Sequence, residues 1–177
     1  MEDLQYPIGR YERPSRFTPA ARATWIAEIA TMPRALAEAV DGLTAAQLDT
    51  PYRPGGWTVR QVVHHLADSH VNAYVRTRLA LTEEAPTIKP YDEKRWAELD
   101  DARSGPIGPS LALIRAMHER WVALLASLDE ATLQRLFHHP ELPQPLSVEE
   151  VLAMYAWHGK HHAAHITSLR EREGWGK

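Results

Sequence analysis

The sequence has no cysteine among its 177 residues. That absence removes disulfides, thiolate metal ligands and a cysteine nucleophile together, so any thiol chemistry has to use a thiol brought by a substrate. There is no apolar run of the roughly 18 residues that a membrane span requires, and Met1 is not followed by a basic-then-apolar leader. A cytoplasmic protein with no membrane partner is expected. Positive charge is not in excess either: the formal net charge is −3, and no stripe of lysine and arginine marks a nucleic-acid partner. Strand patterning is also missing, since no period-two run of β-branched residues is long enough for a sheet, and no internal repeat is visible. A length of 177 residues gives one domain a real core and is short for two, so a single domain over 1–177 is expected.

What the chain does contain is helix punctuation. After a proline-containing arm from Tyr6 to Pro14, Thr18 and Pro19 read as an N-cap followed by proline at the first helical position, and Trp25, Ile26, Ile29, Met32, Leu36 and Val40 recur at helical spacing. Thr44 and Gln47 form a capping-box pattern over a short turn, before Pro51, Pro54, Gly55 and Gly56 break the chain. Thr58 and Gln61 repeat the box and open a second long helix to about Thr82. Residues 84–110 carry four prolines around Asp92-Glu93-Lys94-Arg95-Trp96, the composition of a long crossover loop with one short helix. A third helix follows Pro109-Ser110 to Leu128, and Asp129 to Phe137 adds a turn or two. Ser147 and Glu150 make a third box, and the fourth helix runs to Glu173, where Gly174 stops it. Four long helices and no strands predict an all-α four-helix bundle, whose sites are built from side chains on facing helices.

The densest chemistry lies in W-H-G-K-H-H-A-A-H-I, where four of the ten histidines fall within eight residues. At about 100° per residue, Val148, Val151, Tyr155, Ile166 and Leu169 define a buried stripe that includes His158 and His162. His161 and His165 fall at its edge or beyond, as rim residues or supports. The i, i+4 spacing of His158 and His162 lets two imidazoles reach one ion, and two buried histidines facing each other otherwise each need a hydrogen-bond partner. A third ligand is expected from His64 or His65 in the second helix. His65 lies about 60° from Val62 and His64 about 100° from Val63 on the helical wheel, which favours His65. Asp68 either orients an imidazole or is a solvated helix charge. His70 is read as a hydrogen-bonded core residue, His118 as a helix-face residue, and His138 and His139 as surface loop. Arg53 and Arg60 are either substrate clamps for a carboxylate or helix-start and surface arginines.

The stretches W-T-V-R-Q-V-V-H-H-L-A-D-S-H and Y-A-W-H-G-K-H-H-A-A-H-I resemble those of the DinB/YfiT-like family of metal-dependent bundle proteins. Further similarity in Y-P-I-G, L-D-T-P-Y-R-P-G-G-W, L-T-E-E-A-P, K-P-Y-D-E-K-R-W and the closing G-W extends the resemblance over nearly the whole chain. It implies a four-helix bundle, a homodimer, and one zinc or nickel ion per subunit held by His65, His158 and His162, the same three that the wheel selects. Lys160 departs from the family pattern at a position where a further histidine occurs, which bears on the rim and not on the ligands.

Three histidines leave a coordination position open, the arrangement of a catalytic metal. The resemblance implies two chemistries on a small-molecule substrate: metal-dependent hydrolysis through activated water, or transfer of a low-molecular-weight thiol such as bacillithiol to an electrophile. Gly159 stands where a zincin helix carries its general base, and no carboxylate neighbours either ligand in the fourth helix, which suits thiol activation. A third expectation is a non-enzymatic metal-binding stress-response dimer, in which a fourth protein ligand such as His161 or Asp68 closes the site.

Overall fold

The computed structural model describes residues 2–176, so Met1, where a leader would begin, and Lys177 at the far end of the expected domain lie outside the described residues. The helix signals translate into local structure one by one. The helix α1 spans Glu2–Gln5, and the proline-containing arm follows it without regular structure. The helix α2 covers Pro19–Val40 with Thr18 as its cap, the hydroxyl accepting from the Ala21 N–H. The short α3, Ala45–Leu48, and the long α4, Val59–Thr82, each open on the reciprocal capping box expected at Thr44 and Thr58.

The crossover holds two short helices where one was expected, α5 over Glu93–Ala97 and α6 over Asp100–Ser104. They lie on α4 because the first turn of that helix donates to them. Gln61 Nε2 reaches Ala97 O at 2.8 Å, and Arg60 bonds Gly105 O and Asp49 Oδ1, both at 2.8 Å. Arg60 is thereby a buried structural residue, not a free substrate clamp. The helix α7 spans Gly108–Ala126, and α8, Glu130–Leu133, is the extra turn.

The expectation of no strand needs one correction. Leu136–Phe137 (β1) and Leu146–Ser147 (β2) pair antiparallel, with Leu136 opposite Ser147 and Phe137 opposite Leu146. Ser147 must be extended to cap the helix that follows, and the pairing uses that extended backbone; two residues are too few to show a period of two. The helix α9, Val148–Glu173, then begins with its capping box and ends at Gly174, whose φ of 65° lies in the left-handed region that glycine tolerates.

The long helices α2, α4, α7 and α9 form the bundle. Both α2 and α4 pack against α7 and α9, so α2 and α4 occupy opposite corners. Two contacts set the height of α9 against α2. A Cβ on Gly159 would meet Met32 Cγ at 2.6 Å, so the glycine permits the close approach. The Arg22 guanidinium of α2 bonds the buried Glu149 carboxylate of α9. Pro33 lies inside α2 and has no N–H to give the carbonyl of Ile29, four residues earlier.

Candidate metal centre

The helices α4 and α9 bring His65, His158 and His162 together. One ring nitrogen from each lies within 4.8 Å of the others, and among the described residues this is the group with that arrangement. His65 and His162 are buried and His158 is half-buried. The rings are edge-on to one another: His65 meets His162 at a centroid separation of 4.8 Å and an angle of 66°, and His158 meets His162 at 4.6 Å and 73°. Trp57, at the end of the loop before α4, packs on His65 at 4.6 Å and closes one side.

The separation of His65 Nε2 from His158 Nε2 is 3.4 Å. Two nitrogens bound to one tetrahedral ion at about 2.0–2.1 Å stand about 3.3–3.4 Å apart, so the residues fit a shared divalent ion without rearrangement of that pair. The electrostatics agree with ligands kept neutral. Burial, and then repulsion from His165, pushes the His65 imidazole down to about 4. Burial also holds His158 and His162 well below the ordinary range, reinforced by their histidine neighbours. A neutral imidazole is the form that coordinates a metal.

Of the remaining histidines, His161, His165 and His118 differ from the sequence expectations. His161 and His165 are not on a solvated rim; they are buried, because the N-terminal arm and Tyr52 cover that side of α9. His165 Nε2 donates to Gln5 O at 3.0 Å and its ring stacks on Tyr52 at 3.9 Å, while His161 lies between Trp157 and Tyr6. His64 turns away from the cluster to Ser110 Oγ at 2.8 Å, as its wheel position suggested. His70 is fully buried and hydrogen-bonded, as expected. His118 is more than a helix-face residue, since it is buried and bonds both His70 and Ile29 O. His138 is exposed and His139 half-buried in the loop between β1 and β2.

Asp68, one turn beyond His65, is half-buried, and burial followed by repulsion from Asp101 raises its carboxyl to about 6. Nearby, Ser69 Oγ and Tyr155 Oη are 3.3 Å apart, and the Tyr155 ring contacts His158. Arg53 folds back on its own loop, donating to Tyr52 Oη and Pro54 O, both at 3.1 Å.

With this geometry in place, comparison with known proteins is informative. The sequence model of the DinB superfamily matches residues 28–166, a span that includes all three clustered histidines. A Bacillus mycoides protein named as a candidate metal-dependent hydrolase is 52% identical over 175 residues, which cover 99% of this chain and 100% of that protein. YfiT of Bacillus subtilis, also named as a candidate metal-dependent hydrolase, is 49% identical over 98% of this chain and 97% of its own. The solved structure of YfiT, described as a four-helix bundle of unusual topology, matches with a TM-score of 0.95 and covers 98% of this chain and 99% of that one.

Proposed function

The chain belongs to the DinB superfamily, and on that premise we propose that it is a metal-dependent enzyme of hydrolase type. His65, His158 and His162 would hold one divalent ion, zinc first and nickel second. The observation that carries this reading is the 3.4 Å approach of His65 Nε2 and His158 Nε2 in a group completed by His162. When bound, such an ion lowers the pKa of water and polarises a carbonyl. The three imidazoles supply lone pairs from two rigid helices, and among the described residues no fourth donor joins their group, so a position is left for substrate. Trp57 excludes water from the side of His65 that it covers. Asp68, with its carboxyl raised to about 6, has the pKa of a proton acceptor at neutral pH.

A second reading, transfer of a low-molecular-weight thiol to an electrophile, is favoured by one observation: among the described residues, none of the three clustered histidines is hydrogen-bonded to a carboxylate. A thiolate nucleophile needs no general base once formed. The homodimer belongs to the same proposal, and light scattering at about 20 kDa would remove it.

The test is metal content by elemental analysis of the purified protein and of its single alanine variants. His65→Ala, His158→Ala and His162→Ala should each lose the ion, whereas His161→Ala should keep a full equivalent. The reverse pattern would move the site to the other face of α9. A panel of ester and amide substrates, run beside thiol and electrophile pairs, separates the two chemistries: Asp68→Asn should depress hydrolysis and leave thiol transfer unchanged.

A further inference from the structure

Both α9 histidines of the cluster touch a further imidazole through Nδ1, and each line of rings ends on a backbone carbonyl. One line runs from His158 Nδ1 to His70 Nε2 at 3.2 Å, from His70 Nδ1 to His118 Nε2 at 2.9 Å, and from His118 Nδ1 to Ile29 O at 2.7 Å. The other runs from His162 Nδ1 to His165 Nδ1 at 3.3 Å, and from His165 Nε2 to Gln5 O at 3.0 Å.

A carbonyl oxygen has lone pairs and no proton, so the ring that meets it must donate. His70, His118 and His165 are 0%, 1% and 3% exposed, and burial disfavours imidazolium, so each ring has a single N–H. His118 therefore spends its proton on Ile29 O and presents a bare Nε2. That nitrogen accepts only if His70 carries its proton on Nδ1. His70 Nε2 is then bare and requires the proton of His158 on Nδ1. In the first line, three rings supply three protons to three contacts, and only this polarity satisfies all of them. The second line works the same way: His165 donates to Gln5 O, and His162 must donate from Nδ1. Ile29 O is available to His118 because Pro33 has no N–H to occupy it.

We infer that the carbonyls of Ile29 and Gln5 set the tautomers of His158 and His162 through His118, His70 and His165, leaving both ligands with a bare Nε2. His118, His70 and His165 are thus positioning residues: they keep the ligand rings oriented and free of a proton at Nε2 before any ion arrives. The inference rests on the metal reading only for what meets those lone pairs; the tautomers themselves belong to the metal-free protein.

The test begins with nitrogen-15 NMR of the histidine rings in the metal-free protein. His70, His118, His158 and His162 should each show the Nδ1–H form, and His165 the Nε2–H form. In His118→Phe the line loses its terminal donor, and His158 should shift toward Nε2–H. Zinc affinity, measured by chelator competition, should fall about 10–100-fold, as is typical when a ligand's orienting partner is removed. His118→Gln should keep both properties, because its amide N–H can reach Ile29 O while its amide oxygen accepts from His70. A residue that merely filled space would not distinguish glutamine from phenylalanine by the tautomer of His158. Nε2–H forms of His158 and His162 in the wild-type protein would overturn the inference, even if the phenylalanine variant did not fold. So would unchanged zinc affinity in a folded His118→Phe protein. If the tautomers are as stated and no divalent ion binds, the inference stands and the metal reading fails.

Discussion

Lowering the pH of the metal-free protein from 6.5 to 5 should remove a large part of its stability, because the fold buries imidazoles in their neutral form. Burial holds His65 and His118 at about 4 in the folded state, against about 6.5 in the unfolded chain. The unfolded state therefore binds more protons through this window, and stability falls as the pH falls. Integrating between pH 6.5 and 5 gives about 1.6 kcal/mol for each of the two groups, or about 3 kcal/mol together. His70, His158 and His162, also held low by burial, act in the same direction. Asp68 opposes them: with its carboxyl raised to about 6, it takes up a proton first in the folded state. Against a usual total of about 5–15 kcal/mol, the net loss should be plain in urea titrations at pH 7, 6.5, 5.5 and 5 with a chelator present. The midpoint should drop at nearly constant slope. A stability flat to within about 0.5 kcal/mol from pH 7 to 5 would mean that the buried rings keep their ordinary pKa values, and that the histidine-rich interior is open to water.

Two further substitutions test the contacts that seat α9. Gly159→Ala places a methyl group 2.6 Å from Met32 Cγ; overpacking of this kind should cost about 1–3 kcal/mol and, by shifting the neighbouring His158, weaken zinc binding, as thermal melts and chelator competition would show. Arg22→Ala leaves the Glu149 carboxylate, 1% exposed, without its guanidinium partner, and should cost about 3–5 kcal/mol in urea unfolding; adding Glu149→Gln should recover part of the loss.

The helices were legible because their signals are local. Thr18, Thr44, Thr58 and Ser147 cap the helices they were expected to cap, since a capping side chain bonds an N–H two or three residues ahead and needs nothing from the rest of the chain. The i, i+4 spacing of His158 and His162 likewise determined that they share a face, and the wheel position of His65 favoured it over His64 for the inward face of α4. The two-residue ladder of β1 and β2 was beyond this kind of reading, because each strand spans a single period of its own pattern and shows no repeat. The burial of His161 and His165 was also beyond it, because the covering groups lie far away in sequence: Gln5, which accepts from His165, is 160 positions distant. His118 looked like an ordinary helix-face residue until the fold set it on Ile29, 89 positions earlier. Pro33, inside α2, leaves the Ile29 carbonyl without its helical donor. Which side chain would take that carbonyl, and which nitrogen of His158 would stay bare as a result, depended on how α2, α4, α7 and α9 pack, since a tautomer is set by the atoms that meet a ring in space.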